Sequence, residues 1–196
     1  MNLFMLCEKP SAQAFRPIAA PFAVRPCRAD ETALWTQICT ETVEDIPCAQ
    51  EYIDEVYAPA DPLFYRRILF ACDENDRPVG ACMLWKAYGC MDTVHWLRVL
   101  PEYEGRGIGR ALLGACLSSS QGPVLLHTQE YNQRAIALYH SFGFRFVTDP
   151  VIGRRRNDLA DALPLLRRTL PESIFAETLS APQAFLLAAQ GKRTEF

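Results

Sequence analysis

Three glycines at alternate positions mark the segment of this sequence that is best suited to chemistry. Gly105, Gly107 and Gly109 follow an apolar stretch and lead into a run of residues with helical periodicity. Because glycine has no Cβ atom, such a loop can turn several backbone N–H groups toward one point, and the start of the helix adds its own unused N–H groups. This arrangement binds anions, and a pyrophosphate is its natural occupant. Arg106 and Arg110 lie in the same loop and could add positive charge.

The spacing of these glycines differs from that of two common phosphate-binding motifs. The dinucleotide-binding motif requires G-x-G-x-x-G with an acidic residue ~20 positions later, whereas residues 105–109 read G-x-G-x-G. The P-loop requires Gly-Lys followed by Ser or Thr, and this loop contains no lysine. Turns also use closely spaced glycines, so the loop alone does not identify its ligand.

The elements that must position this loop alternate between strands and helices. Apolar runs bounded by turn residues predict strands at 22–25, 67–72, 79–85, 93–100, 124–128, 144–148 and 162–170. Periodicity and capping residues predict helices at 31–43, 48–57, 108–118 and 133–141. Asn132 is expected to cap the last of these helices. Residues 1–20 show no clear period and are predicted to form an arm, and two short helices are expected after residue 170.

Composition and charge exclude several classes of protein. The 196 residues are enough for one domain with a sizeable core, and the 49% hydrophobic and 22% charged residues are ordinary for a globular protein. The net charge of −3 argues against a general nucleic-acid-binding protein. No apolar run reaches the ~18 residues that span a membrane, and the apolar start at 1–7 is too short for a signal peptide. We therefore expect a cytoplasmic protein that binds neither nucleic acid nor membrane.

The eight cysteines are not arranged as a metal site. No two of them stand at the CxxC spacing, and the chain has only three histidines, so we expect no bound metal. Most of the cysteines lie in apolar segments, where we expect them to act as small core residues.

Acidic residues are concentrated in one segment. Nine of them, with no lysine or arginine, lie between residues 29 and 65: Asp30, Glu31, Glu41, Glu44, Asp45, Glu51, Asp54, Glu55 and Asp61. The rest of the chain carries a net positive charge. Two interpretations are open: the segment forms solvated helix faces, or it lies beside the site of a cationic ligand.

Two blocks of the sequence resemble the GNAT superfamily of acyl-CoA-dependent N-acetyltransferases. Residues 99–113, Val-Leu-Pro-Glu-Tyr-Glu-Gly-Arg-Gly-Ile-Gly-Arg-Ala-Leu-Leu, resemble its pyrophosphate loop and the helix that follows. Residues 132–144, Asn-Gln-Arg-Ala-Ile-Ala-Leu-Tyr-His-Ser-Phe-Gly-Phe, resemble its N-x-x-A-x-x-L-Y-x-x-x-G-F segment. Two such blocks in order, with a strand between them, are more specific than either alone.

The resemblance implies a fold and a division of the chain. The fold is an α/β (α+β) arrangement with a mixed, mostly antiparallel central sheet, helices on both faces, and a splay between the fourth and fifth strands. The N-acetyltransferase domain would cover residues 21–170, after an N-terminal arm at 1–20 and before a C-terminal helical extension at 171–196. The extension is rather apolar for a tail, and it either packs on its own domain or forms a homodimer contact.

The resemblance also assigns roles to individual residues. Acetyl-CoA, the expected co-substrate, would be held by Leu97, Arg98, Val99, Gly105, Arg106, Gly107, Ile108, Gly109, Arg110 and Asn132. The strand residues 97–99 would offer backbone groups to the pantetheine and the thioester, the loop would hold the pyrophosphate, and Asn132 would contact the pantetheine arm. The family usually has Arg or Gln where this chain has Glu104. A carboxylate there repels a pyrophosphate unless it turns to solvent or pairs with an arginine, so we expect weaker cofactor binding rather than its loss.

The implied reaction is attack of a primary amine on the thioester, with Tyr139 protonating the departing thiolate. A phenol with a pKa of about 10 can donate a proton at neutral pH while remaining neutral. Candidate bases for the amine are His95, His127 and Glu130, a chain of waters is a further alternative, and both histidines could instead be packed strand residues. The acidic segment favours a cationic small molecule or peptide as acceptor. A second function remains open, namely a non-catalytic acyl-CoA-binding sensor or interaction module with the same fold.

Overall fold

A computed structural model describes residues 1–40, 43–193 and 195. The strands are β1 (Asn2–Cys7), β2 (Ala23–Pro26), β3 (Ile68–Cys72), β4 (Pro78–Ala87), β5 (Met91–Val99), β6 (Val124–Gln129), β7 (Arg145–Val147), β8 (Val151–Ile152), β9 (Arg155–Arg156) and β10 (Thr178–Leu179). The helices are α1 (Thr32–Cys39), α2 (Ile46–Tyr52), α3 (Ala58–Ala60), α4 (Ile108–Ser118), α5 (Gln133–Ser141), α6 (Leu159–Leu166) and α7 (Gln183–Ala189). Among the described residues, no helix is long and apolar enough to cross a bilayer.

The described residues form two compact units. The first contains residues 1–15, 86–93 and 120–196, and the second contains residues 16–85 and 94–119. Strands follow the order β10-β7-β1-β6 in the first unit and β5-β4-β3-β2 in the second. Strand β1 is antiparallel to β6 and β7, β3 is antiparallel to β2 and β4, and β10 is parallel to β7. The predicted class, mixed α/β with a mostly antiparallel sheet, is therefore confirmed, whereas the domain boundaries at residues 20 and 170 stay predictions.

Strand β1 corrects the prediction of an irregular arm at the start of the chain. It lies between two strands of the first unit, with Leu3 opposite Thr128 and Leu6 opposite Arg145. Its side chains from residue 3 to residue 7 are at most 1% exposed, so both faces of the strand are covered. Such a strand is a continuous apolar run without the alternation by which a half-exposed strand is recognised.

Helix α6 corrects a second prediction, because residues 162–170 were expected to form a strand. Leu159, Ala162 and Leu166 are buried, and their spacing of three and four residues places them on one helical face. The backbone N–H of Ala162 donates to the carbonyl of Asp158. Pro164 lies inside the helix and lacks the N–H that an interior turn uses. A short apolar run fits a buried helix as well as a strand, and here packing selected the helix.

Other predicted elements are confirmed to within a few residues. Helices α4 and α5 occupy the predicted ranges 108–118 and 133–141, and β3 and β4 form the predicted hairpin. The helix predicted at 48–57 is longer, because a π-helical turn (Ile53–Tyr57) joins α2 to α3. Helix α1 ends at Cys39, and the predicted continuation through residues 41 and 42, like the acidic Glu41, lies outside the described residues.

The C-terminal segment is part of the first unit. A 3-10 turn (Glu172–Phe175) and α7 follow Pro171 and Pro182, as the sequence predicts for the two short helices. Ile174 and Phe185 are 2% and 1% exposed, so much of the apolar surface of this segment packs against its own chain. The homodimer contact stays a prediction.

Candidate functional site

The glycine loop of the second unit has an unusual backbone at two positions. Gly105 and Gly107 have φ angles of 76° and 80°, in the left-handed region that side chains with a Cβ atom rarely adopt. A Cβ atom added at either glycine would meet no heavy atom within 4 Å, so conformation rather than space requires glycine. Gly107 is the N-cap of α4, and its carbonyl accepts the N–H of Ala111 at 3.0 Å. The N–H groups before Ala111 precede the first helical hydrogen bond, which makes this end of α4 suited to an anion.

Arg106 is held against the segment that precedes the loop. One guanidinium nitrogen, Nη2, donates to the carbonyl of Glu102 at 3.1 Å. The guanidinium also lies over the rings of Tyr103 and Phe22, with its Cζ atom 5.3 Å and 6.0 Å from their centroids. Glu104, the residue before the loop, is exposed. Arg106 therefore packs against the segment before the loop, and its contact with a phosphate stays a prediction.

Gly80 of β4, which the sequence analysis does not single out, allows β5 to approach closely. Leu97, Arg98 and Val99 are partly exposed at the end of β5. A Cβ atom at Gly80 of β4 would lie 2.9 Å from the carbonyl oxygen of Arg98 and 3.3 Å from Cδ1 of Leu112 in α4. Only glycine lets β4, β5 and α4 approach this closely. An isolated glycine inside a predicted strand is the signal that could have identified it.

Two consecutive side chains of β5 reach one hydroxyl group. Successive residues of a regular strand point to opposite faces, but Trp96 has a φ of 52°, and such irregularities redirect side chains. His95 Nδ1 lies 2.7 Å from the Tyr57 hydroxyl, and Trp96 Nε1 donates to the same hydroxyl at 2.9 Å. Because the indole N–H can only donate, the proton of Tyr57 can be given to His95 Nδ1, which then leaves the proton of neutral His95 on Nε2.

His127, in β6 of the first unit, has both ring nitrogens engaged. Arg155 Nη1 lies 3.0 Å from Nδ1, and Asn2 Oδ1 lies 3.0 Å from Nε2. Arginine can only donate, so Nδ1 accepts and the proton of His127 is on Nε2. Burial, followed by the positive charge of Arg155, lowers the pKa of His127 from 6.5 to about 3. This environment suits a neutral structural histidine better than a general base.

Two further predicted residues lie in the turn between β6 and α5. Glu130 Oε2 lies 2.6 Å from the Met1 amino nitrogen, and this contact lowers the pKa of the carboxyl. Asn132 stands at the N-cap position of α5, and its carbonyl accepts the N–H of Ile136 at 2.9 Å. The expected side-chain cap is not formed, and Nδ2 of Asn132 donates to Gln129 Oε1 at 2.9 Å.

Tyr139 lies on the buried face of α5. Its side chain is 7% exposed, and its ring centroid is 5.9 Å from that of Phe144, the residue before β7. The carbonyl of Tyr139 accepts the N–H of Phe144 at 3.2 Å. The first unit thus contains Tyr139, His127 and Asn132, and the second unit contains the loop, the end of β5 and His95.

The acidic segment separates into paired and exposed groups. Glu31 accepts hydrogen bonds from Arg25 and lies 3.2 Å from an Arg28 nitrogen, and Asp61 pairs with Arg67 at 3.0 Å. The arginines lower the pKa of Glu31, and the Leu63 N–H and Arg67 lower that of Asp61. Five other carboxylates are exposed on the helical stretch that contains α2: Glu44, Asp45, Glu51, Asp54 and Glu55. These exposed groups are the part of the segment that can face a ligand.

Comparison with known proteins gives a family match and a fold match. Residues 32–144 match the acetyltransferase (GNAT) family. The chain is 47% identical over 55 residues to the N-alpha-acetyltransferase RimI of Mycobacterium tuberculosis, a match that covers 28% of this chain and 35% of the relative. It is 48% identical over 52 residues to an uncharacterised protein of Mycobacterium leprae, covering 26% of this chain and 14% of that protein.

Two solved structures show the same fold at low sequence identity. A GCN5-related N-acetyltransferase from Sphaerobacter thermophilus is 17% identical, with a TM-score of 0.54 over 74% of this chain and 48% of the other. A tandem GNAT protein from the clavulanic acid biosynthesis pathway is 13% identical, with a TM-score of 0.53 over 73% and 49%. In both cases the match covers about half of the length of the solved relative.

Proposed function

Because the chain belongs to the acetyltransferase (GNAT) family, we propose that it transfers an acetyl group from acetyl-CoA to a primary amine. The observation that carries the proposal is the loop at 105–110, where two left-handed glycines turn the backbone into the N-terminus of α4. Helix N-termini of this kind bind phosphate groups through backbone N–H donors and the helix dipole. In the proposed complex the pyrophosphate of acetyl-CoA occupies this position, and the backbone of residues 97–99 binds the pantetheine arm.

The proposed chemistry forms one bond and breaks another. The neutral amine nitrogen attacks the thioester carbonyl, and collapse of the tetrahedral intermediate breaks the C–S bond. Tyr139 donates its phenolic proton to the departing thiolate, and the proton lost by the amine passes to His95 or to a water chain. His127 accepts a hydrogen bond from Arg155 and Glu130 pairs with the Met1 amino group, so neither is favoured as the base. His95 can take the proton on Nδ1 only when Tyr57 turns its hydroxyl proton away from that nitrogen.

The acceptor in this proposal is a cationic small molecule or peptide. The exposed carboxylates of the α2 stretch favour a positively charged partner through long-range attraction. The similarity to an N-alpha-acetyltransferase makes the α-amino group of a peptide the first acceptor to examine. Polyamines and aminoglycosides are the other candidate acceptors, and together with peptides they make up the panel of amines to be tested.

The test measures CoA release with acetyl-CoA and the amine panel, together with the melting temperature. Acetyl-CoA should raise the melting temperature by mass action, and at least one amine should release CoA. Tyr139→Phe should retain the melting shift and lose most of the turnover. No melting shift at millimolar acetyl-CoA would refute the proposal.

Glu104 favours a second function, a module that binds acyl-CoA without turnover. Its carboxylate occupies a position where the family usually has Arg or Gln, next to the proposed pyrophosphate. A melting shift with acetyl-CoA but no CoA release on any amine would support the module. CoA release that Tyr139→Phe diminishes would support the enzyme.

A further inference from the structure

Four aromatic rings of the second unit form a closed circuit, here called the aromatic quartet: Trp35, Tyr57, Tyr52 and Trp96. Taken in that order, neighbouring ring centroids are 6.1 Å, 6.0 Å and 5.7 Å apart, and Trp96 returns to Trp35 at 5.9 Å. Three of the four contacts are edge-on. The rings come from α1, α2, the π-helical turn and β5, so the quartet is assembled by packing of the whole unit.

The quartet has a buried base and a partly exposed rim. Trp35 and Tyr57 are completely buried, and Tyr57 is backed by Trp85 with ring centroids 4.9 Å apart. Tyr52 and Trp96 are each partly exposed. Their ring planes are 81° apart, and their centroids are separated by 5.7 Å. These two nearly perpendicular rings at the surface, which pack on the buried rings of Trp35 and Tyr57, form an aromatic corner.

One polar atom of the quartet lacks a partner. Within the described part of the chain, the buried indole N–H of Trp35 has no hydrogen-bond acceptor. Buried donors are normally satisfied, and the neighbouring Trp96 indole does donate to Tyr57.

The exposed charges of the helical stretch that carries Tyr52 are negative, whereas Arg98 of β5 lies near Cys39, whose thiol contacts the Trp96 carbonyl. Tyr52 lies in the helical stretch that carries the exposed Glu51, Asp54 and Glu55, and residues 29–65 contain no lysine or arginine. The nearby Arg67 lies over Trp85, 5.7 Å from its centroid, and pairs with Asp61. An acidic surface around aromatic faces favours an organic cation over an anion or a neutral group.

We propose that the rim rings of Tyr52 and Trp96 form a subsite for the alkylammonium end of the amine acceptor. The assignment of this cation as the acceptor rests on the proposed function, but the cation subsite itself rests on the quartet. The ring faces attract the positive charge, and the carbon chain next to it contacts the apolar edges of the rings. The subsite therefore selects acceptors that carry a cationic alkylammonium group in addition to the neutral amine that attacks the thioester.

A binding experiment tests the subsite without any enzymatic turnover. The probes are choline and its uncharged isostere 3,3-dimethyl-1-butanol, titrated into the full chain while tryptophan fluorescence is recorded. Choline should bind about tenfold more tightly than the isostere, as expected for a cation–π site. Equal binding of the two probes, or no saturable binding of choline, would overturn the proposal.

Two substitutions test whether choline binds at the rim rings of the aromatic quartet. Tyr52→Leu removes one rim ring and should abolish the preference for choline, whereas Tyr131→Leu, a change at a tyrosine that is 68% exposed in the first unit, should retain it. Both variants should melt close to the wild type, because neither side chain is fully buried. A choline preference that survives in Tyr52→Leu would place the cation elsewhere and refute the subsite.

Kinetics separate this proposal from the proposed function. If amines are acetylated, Tyr52→Leu should raise the KM for the amine about tenfold, and Tyr131→Leu should not. Acetylation with an unchanged KM in Tyr52→Leu would refute the subsite and leave the acetyltransferase intact. A choline preference that depends on Tyr52, without CoA release on any amine, would refute the acetyltransferase and leave the cation subsite.

Discussion

The indole N–H of Trp96 donates a hydrogen bond to the hydroxyl of Tyr57 at a distance of 2.9 Å. The strand residue and the helical residue are 39 positions apart in the chain, and Trp96 has a left-handed backbone with a φ of 52°. A left-handed conformation costs a bulky residue about 1–2 kcal/mol, so the surrounding contacts must outweigh it. The same hydroxyl also contacts His95, which makes Tyr57 the residue that joins the proposed acceptor subsite to a candidate base.

Removal of the Tyr57 hydroxyl should destabilise the protein. Tyr57→Phe leaves a buried imidazole nitrogen and an indole N–H without their partner, at a cost of about 1–3 kcal/mol in the free energy of unfolding. Urea denaturation measures the loss. Tyr65→Phe, at a partly exposed tyrosine of the same unit, serves as the control and should change the value by less than about 0.5 kcal/mol. Equal effects of the two substitutions would contradict the assigned hydrogen bonds.

A methyl group at Gly80 should disturb both the stability of the protein and its binding of acetyl-CoA. In Gly80→Ala the new Cβ would lie 2.9 Å from the backbone oxygen of Arg98, so β4 and β5 must separate. We expect a loss of about 1–3 kcal/mol in the free energy of unfolding and a smaller melting shift with acetyl-CoA. Gly122→Ala is the control, since a Cβ atom there meets nothing within 4 Å. A Gly80→Ala protein as stable as this control would contradict the close packing.

The backbone of the glycine loop should be required for acetyl-CoA binding beyond its effect on stability. Gly107→Ala forces alanine into a φ near 80°, which costs about 1 kcal/mol or leads the loop to rearrange. We expect the melting shift with acetyl-CoA to be largely lost. Gly89→Ala imposes a similar strain at a φ of 70° outside the loop and should retain the shift. Loss of the shift in both variants would mean that general destabilisation, not the loop, explains the result.

His127 should make the protein less stable in acid. Its pKa is about 3 in the folded state, compared with 6.5 for an unperturbed histidine. The unfolded chain therefore binds a proton that the folded chain does not, and stability is lost as the pH falls from 6.5 toward 3, at up to about 1.4 kcal/mol per pH unit. Urea denaturation at pH 7 and pH 5 measures the slope. His127→Gln should have a shallower pH dependence, and identical slopes would show that His127 does not carry this effect.

Some parts of the candidate site could be predicted because they depend on short stretches of sequence. The glycines at 105 and 107 and the start of α4 follow from residue types that restrict the local backbone. The position of α5 likewise follows from local periodicity. Strand β1 was missed because burial on both faces removes the alternation that reveals a strand. The sequence predicts that the side chain of Asn132 caps α5, but it forms no cap hydrogen bond and its Nδ2 donates to Gln129.

The sequence by itself therefore determined the phosphate-binding type of loop, the helix that follows it and the family to which the chain belongs. Only the tertiary structure decided what surrounds each histidine and which aromatic rings pack around Trp96. His127 was equivalent to His95 in the sequence until Arg155 and Asn2 were found against its two nitrogens. Local propensity acts over a few neighbouring residues, whereas hydrogen bonds and ring contacts between distant residues form only when strands and helices pack together.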